Sequence, residues 1–278
     1  MRLASFNWFT LFYLLGLYGV VVFFLKRRDA KDNEVNWSPL EALGVTLAIY
    51  FVGQIAGSAL AYVFPMLRGW SQTQIIDWLE NNVYGQFLAI FLVEAICVWL
   101  LYVFLKRRKA NFKTIGLKRR PKLTDLGWVV LGFGAYFLLY VFILAITKKL
   151  APGLNVDQQQ QLGFNNPTHM QLPVVFISLV LLPPIAEELL VRGFLYTGLK
   201  KGLPLIWAVL ITSGLFGIAH LQAGNGEPLL WVATIDTFVL SLVLIYLREK
   251  TGSLWASIGL HMLKNFIAFL SLFVFHVV

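Results

Sequence analysis

The chain has 278 residues, of which 58% are hydrophobic and only 13% are charged, and its mean hydropathy is +0.72. Soluble globular chains carry about 25% charged residues, so the composition excludes that class and indicates an integral membrane protein. The net charge of +9 is carried by short basic runs between apolar stretches, which is typical of topology signals and of contacts to anionic lipid. We therefore expect the lipid bilayer as a partner and no nucleic acid. Cys97 is the single cysteine, so the sequence offers neither an internal disulfide nor a cysteine metal cluster.

Apolar stretches long enough to cross the hydrocarbon core, about 20 residues each, recur along the chain. Backbone groups in lipid need partners within the protein, and no alternating barrel pattern is present, so these stretches must be helices. The first lacks a basic leader and is followed at once by a basic run, which favours a retained span over a cleaved signal peptide. The sequence thus predicts an all-α, polytopic membrane protein. Its eight predicted spans are residues 4–25, 39–64, 84–105, 124–147, 172–199, 204–222, 229–247 and 254–275.

The basic residues of the connecting segments predict the orientation. The connections after the first, third, fifth and seventh spans hold 17 Lys and Arg, and the opposite side holds 4. The positive-inside rule then places the odd-numbered connections in the cytoplasm and both termini outside. We expect a multi-pass protein of the cell (plasma) membrane.

A long polar stretch over residues 148–171 divides the predicted spans into two groups. Residues 1–150 form an N-terminal membrane region of four helices, with a scaffold or regulatory role. Residues 172–270 form a C-terminal four-helix half. Most of the ionisable groups inside predicted spans belong to this second half, and each Asp, Lys or Arg at a helix centre costs about 2.5–3.5 kcal/mol to insert. The sequence therefore predicts that the functional site lies there.

The fifth span carries two adjacent carboxylates just after a pair of prolines, Pro183 and Pro184. The prolines remove backbone donors and favour a kink beside the carboxylates. Arg192 follows Glu188 by four residues, on the same helix face, and can neutralise its charge. Glu187 is then the unpaired carboxylate, available to take a proton from water. The alternative is that the three charges form only a buried ion-pair staple, although a staple needs one glutamate rather than two.

Two further spans carry histidine. His220 ends the sixth span, and His261 and Asn265 lie one turn apart in the eighth. An imidazole and a carboxamide on one helix face are donors suited to an oxyanion hole, which stabilises the charge on a tetrahedral carbonyl oxygen. A lone intramembrane histidine is more often a packing residue, but two of them beside paired glutamates and an asparagine favour catalysis.

These residues form three motifs, which resemble those of the CAAX protease and bacteriocin-processing family, abbreviated CPBP and also called the Abi family. The family includes the type II CAAX prenyl endopeptidases. Its motifs are Glu-Glu-x-x-x-Arg, Phe-x-x-x-His and His-x-x-x-Asn or Asp on successive membrane helices. All three are complete and in order, as Glu187-Glu188-Leu-Leu-Val-Arg192, Phe216-Gly-Ile-Ala-His220 and His261-Met-Leu-Lys-Asn265.

The resemblance implies an intramembrane endopeptidase that cleaves a membrane-associated peptide or protein, including prenylated CAAX-type peptides. It implies that Glu187 and His220 activate water and that His261 and Asn265 stabilise the oxyanion, while Glu188 and Arg192 hold their helix in shape. Many members are named metalloproteases. Glu187, His220 and His261 are the residues that could hold zinc, with water as a fourth ligand. The His-Glu-x-x-His motif is absent and asparagine is a poor zinc ligand, so the residues slightly favour metal-free glutamate catalysis.

Two other function classes stay open. The first is a non-enzymatic membrane scaffold, immunity or regulatory protein of the same fold, although such a protein would be free to lose Glu187 and both histidines. The second is a transporter, which the absence of internal repeats and of acidic residues along several helices disfavours. Loss of peptide cleavage on changing Glu187 would separate the enzyme from both alternatives.

Overall fold

The computed structural model describes residues 35–154, 163–221 and 229–276, and within them every regular element is a helix. The fifth helical segment, α5, joins short 3₁₀ and α pieces to two π turns in one continuous path. The eighth, α8, ends in a π turn. The elements are α1 Pro39–Met66, α2 Gln72–Asn81, α3 Val83–Arg107, α4 Leu123–Leu150, α5 His169–Gly202, α6 Leu205–Ala219, α7 Trp231–Thr251 and α8 Trp255–Val274.

Side-chain caps determine where several helices begin. Ser38 accepts a hydrogen bond from the backbone of Glu41, whose side chain accepts one from the Ser38 backbone, and proline follows at the first helical position of α1. At the start of α3, Asn82 accepts bonds from the Tyr84 and Gly85 backbones. At the end of α7, Gly252 adopts φ +63°, a left-handed conformation that favours glycine. These caps satisfy backbone groups that the helices themselves leave unpaired.

α5 lies between two groups of helices. α1 and α3 pack on each other and contact α5 from one side, while α4, α7 and α8 pack together on the other, and α6 joins α5 to α7. α7 is the most buried of the long helices, whereas α4 exposes most of its apolar side chains, as a lipid-facing helix does. Two apolar clusters of buried residues include side chains of α5, and a third lies among α4, α7 and α8.

The basic connections meet at one end of the helices. Lys201, in the last turn of α5, donates to the Val35 carbonyl before α1, and Lys200 pairs with Glu249 at the end of α7. The connection between α3 and α4 reaches the same place, because its Gly116 carbonyl accepts from Leu254 between α7 and α8. In the part of the chain that the structure describes, the end of the first connection at Val35 and the other three connections therefore lie at the same end of the helices.

The all-helical, multi-pass prediction is confirmed. Six described helices are long and apolar enough to cross a membrane. α6 is apolar but has only 15 residues, so it is shorter than the predicted span 204–222. α2, a short helix between α1 and α3, was not predicted. The first predicted span, 4–25, lies outside the described residues.

Close contact between α1 and α3 gives a stability prediction. A Cβ atom on Gly57 would lie 2.7 Å from the Val93 backbone, so Gly57→Ala must push the two helices apart. We expect a loss of about 1–3 kcal/mol in the free energy of unfolding, measured as a lower thermal midpoint in detergent. Gly44→Ala in the same helix is the matched control: its Cβ meets nothing within 4 Å, and alanine favours helix by about 1 kcal/mol. Equal midpoints for the two variants would contradict the packing.

Candidate active site

Helix geometry in α5 determines where the two carboxylates lie. A π turn at Ile177–Leu181 is followed by Pro183 and Pro184, and a second π segment, Glu188–Leu195, begins at the second carboxylate. π turns widen the helix and are frequent at functional sites. Glu187 lies at the junction and keeps 27% of its side chain exposed, whereas Glu188 is fully buried. Adjacent residues of one helix thus have different surroundings.

Glu188 joins two basic side chains. Arg192 Nη1 donates to Glu188 Oε1 at 2.8 Å, and neither side chain has any exposed surface. His261 Nδ1, from α8, lies 3.1 Å from the same oxygen. An ion-paired carboxylate accepts rather than donates, so His261 bears hydrogen on Nδ1 and presents Nε2 on its other side.

Glu187 lies on that other side of the imidazole. Its Oε2 is 3.7 Å from His261 Nε2, and among the described residues this buried oxygen has no hydrogen-bond partner. The distance is too long for a direct hydrogen bond and suits two groups that share a third, small polar molecule. The staple alternative accounts for Glu188 and Arg192 but leaves Glu187 unexplained.

Phe216 brings the motifs of three helices together. Its ring, on α6, lies under the Arg192 guanidinium at 4.0 Å and meets the His220 ring at 4.7 Å between centroids. The His261 ring meets it edge-on at 5.8 Å. Cation–π contact compensates in part for buried guanidinium atoms, Nε and Nη2, that have no hydrogen-bond partner among the described residues. The phenylalanine of the second motif therefore positions the charged groups of the other two.

His220 is held by its own helix. Its Nδ1 lies 2.8 Å from the Phe216 carbonyl oxygen, which can only accept, so Nδ1 carries the hydrogen. Nε2 of a neutral His220 then carries a lone pair and can accept a proton. The ring lies against Phe216.

Asn265 satisfies a carbonyl group that the prolines leave without a donor. Its Nδ2 donates to the Leu179 carbonyl oxygen at 2.9 Å. In an α-helix the Leu179 carbonyl would accept from residue 183, and in a π-helix it would accept from residue 184. Both residues are prolines, Pro183 and Pro184, and neither has an N–H. The amide keeps a second N–H, so Asn265 can still donate to an oxyanion. The sequence analysis noted the prolines only as a kink, and the tertiary contact shows which group they free.

Comparison with known proteins identifies the family of the chain. The family model described as "Type II CAAX prenyl endopeptidase Rce1-like" matches residues 169–267, which include α5 and all three motifs. The chain is also similar to YyaK of Bacillus subtilis (strain 168), which is described as an uncharacterized protein. The two are 30% identical over 259 residues, which are 89% of this chain and 81% of YyaK. The chain belongs to the Rce1-like family. No solved structure gives a significant match.

Metal binding does not fit this Rce1-like site as it is arranged. Across residues 35–154, 163–221 and 229–276, no group of three or more His, Cys, Asp or Glu side chains could hold a metal ion. The proposed ligand set of Glu187, His220 and His261 therefore does not form such a group.

The Rce1-like site also borders on residues of the N-terminal region, for which we predicted a scaffold or regulatory role. Glu94 on α3 and Tyr50 on α1 both lie near enough to Glu187 for its charge to act on them. α3 packs directly against the segment of α5 that carries Glu187. Glu94 stood out in the sequence as a carboxylate within an apolar span, and that signal could have placed it near the site.

The Asn265 contact predicts a double-mutant result. Asn265→Leu leaves the Leu179 carbonyl without its donor, which costs about 1–3 kcal/mol of stability. Pro183→Ala supplies a backbone N–H that can bond this carbonyl, so the double variant should lose less than Asn265→Leu alone. Thermal unfolding of the four proteins in detergent measures the coupling. Additive losses would contradict the assignment of Asn265 as the partner of this carbonyl.

Proposed function

We propose that the protein is an intramembrane endopeptidase that hydrolyses a peptide bond of a membrane-associated peptide or protein, with prenylated CAAX-type peptides as one substrate class. The observation that carries the proposal is the Glu187 carboxylate, whose buried Oε2 faces His261 Nε2 across 3.7 Å. Membership of an endopeptidase family supports it.

The charges of the cluster support a proton-transfer role. Glu187 and Glu188 bring two negative charges and Arg192 one positive charge into surroundings of low dielectric, where an unbalanced charge is costly. One further proton balances them, and it can reside on His261 or on Glu187. When His261 holds it, Glu187 is an ionised base and Nε2–H is a donor. The same four side chains then supply both a base and an oxyanion donor.

Hydrolysis follows from these roles. The water oxygen attacks the peptide carbonyl carbon while Glu187 takes one water proton, and the carbonyl oxygen becomes an oxyanion. His261 Nε2–H and the second N–H of Asn265 donate to that oxygen. On collapse the C–N bond breaks, and the leaving amine takes the proton from Glu187. His220 Nε2 assists by accepting a hydrogen bond from the attacking water.

The proposed orientation places the basic end of the helices in the cytoplasm of a cell whose plasma membrane holds the protein. It rests on the 17 to 4 distribution of Lys and Arg and on the meeting of the four basic connections at one end.

Removal of the Glu187 carboxylate should abolish cleavage. Glu187→Gln keeps the size of the side chain but cannot take a proton, and loss of a general base lowers kcat by about 10²–10⁴-fold. The measurement is cleavage of fluorogenic membrane-anchored peptides, prenylated and unprenylated, by protein reconstituted in liposomes. Glu249→Gln, which changes an exposed glutamate paired with Lys200, is the control and should retain activity. Cleavage by Glu187→Gln at the wild-type rate would reject Glu187 as the base. A wild-type protein that cleaves none of the peptides would reject the enzyme and favour a scaffold or immunity protein.

Chelation tests the metal alternative. Because the described residues offer no three-ligand group, we expect 1,10-phenanthroline to leave the cleavage rate within about twofold, a difference of under 1 kcal/mol in the barrier. Elemental analysis of the purified protein should find less than one zinc per chain. Loss of activity on chelation, restored by zinc, would instead assign a metal to Glu187 and the two histidines.

A further inference from the structure

A second group of polar side chains includes none of the residues that define the three motifs. Lys264 on α8 pairs with Asp236 on α7, with 2.8 Å between Nζ and Oδ2. Tyr136 on α4 donates its hydroxyl to the other carboxylate oxygen of Asp236. Both oxygens of one carboxylate are thus bound by different helices. We call these three residues the α4–α7–α8 network.

The side chains of the network are largely shielded from solvent, where an unpaired charge is costly. Asp236 and Tyr136 are buried and Lys264 keeps only 17% of its side chain exposed. Ionisable groups within apolar helices are costly unless paired, so the pair imposes a fixed contact between α7 and α8. Tyr140, one turn further along α4, stacks on the Tyr136 ring at 6.0 Å and holds it in place.

A second polar contact joins the same two helices on the other side of His261. Ser257 Oγ, buried on α8, donates to the Leu244 carbonyl of α7 at 2.9 Å. Ser257 and Lys264 are about two turns apart and share one face of α8. Their partners follow in the opposite order along α7, as antiparallel helices require. The contacts therefore hold α8 both before and after His261.

The face of α8 that carries His261 and Asn265 differs from the face that carries Ser257 and Lys264. His261 and Asn265 lie roughly 70° further around the helix, where they meet Glu188 and Leu179 of α5. Rotation of α8 about its axis would move both side chains together, and a displacement of about 1 Å can lower a rate by 10²-fold. Contacts that fix this rotation therefore act on the chemistry from a distance.

We propose that Tyr136, Asp236 and Lys264 are positioning residues, which fix the rotation of α8 and so the placement of His261 and Asn265 at the site. The inference rests on the proposed function. It gives the N-terminal region an indirect part in the reaction, because Tyr136 belongs to α4. None of the three touches the reacting atoms.

The test uses full-length protein in liposomes. Lys264→Met and Asp236→Asn should each lower kcat at least tenfold and leave KM within threefold, since they misplace the oxyanion donors without altering substrate binding. The double variant Asp236→Asn with Lys264→Gln restores a neutral hydrogen-bonded pair and should recover at least a third of the wild-type kcat. Thr237→Val is the matched control and should retain activity: this buried hydroxyl bonds only carbonyls of its own helix, those of Ala233 and Thr234.

Two outcomes with the Lys264 and Asp236 variants overturn the proposal. The first is that Lys264→Met and Asp236→Asn keep kcat within twofold of wild type. The second is that both lose activity and the neutral pair recovers none, which would assign the effect to charge rather than to position. If the single variants fail to fold, Tyr136→Phe decides: kcat should fall threefold to tenfold with the thermal midpoint unchanged. Tyr140→Phe, which leaves the Tyr136 to Asp236 bond intact, should not lower kcat, and equal rates for these two variants would overturn the proposal.

A spectroscopic readout separates this proposal from the proposed function. The ¹⁵N chemical shifts of the His261 ring report its bond to Glu188, and we expect Lys264→Met to shift them while Thr237→Val does not. If the wild-type protein cleaves nothing, the proposed function fails, yet the shifts still test the positioning. Unchanged shifts in Lys264→Met, in a protein that does cleave, would reject the positioning alone.

Discussion

The buried pair of Glu188 and Arg192 is the interaction on which the rest of the site depends. Neither side chain has exposed surface, and removing one partner from such a pair costs about 3–5 kcal/mol, because the other charge is left uncompensated. The pair orients His261 through Glu188 and holds Phe216 through Arg192. Phe216 in turn contacts both imidazoles. A pair that contributes little net stability thus determines the geometry of its neighbours.

The irregular geometry of α5 also helps to determine the arrangement of the site. The π turns and prolines of α5 break the regular backbone pattern, and the break is tolerated because side chains of other helices satisfy the groups that it frees. Asn265 does so for the Leu179 carbonyl. The contact also fixes the carboxamide beside His261, so one hydrogen bond both repairs α5 and orients a proposed oxyanion donor.

The helices outside the family match contribute to the site rather than only enclosing it. α3 brings Glu94 close to Glu187, and α4 brings Tyr136 to Asp236. A buried carboxylate is costly unless it is paired, which explains why Asp236 contacts both Lys264 and Tyr136. Glu94 instead brings a second carboxylate near Glu187. The division of the chain into a scaffold half and a catalytic half, predicted from the long polar connection, stays a prediction. The contacts of Glu94 and Tyr136 show where these two halves of the chain meet.

Hydropathy and basic-residue counts were sufficient to predict an all-helical, multi-pass chain, because a helix in lipid must satisfy its own backbone and its composition shows this locally. Motif spacing likewise predicted that Arg192 neutralises Glu188, since residues four apart share a helix face. Contacts between helices leave no such local signal. That His261 lies between two glutamates, that Asn265 binds Leu179 and that Lys264 pairs with Asp236 were decided by how α5, α7 and α8 pack. The sequence by itself determined which residues are costly to bury, and only the tertiary structure determined which partner makes each burial possible.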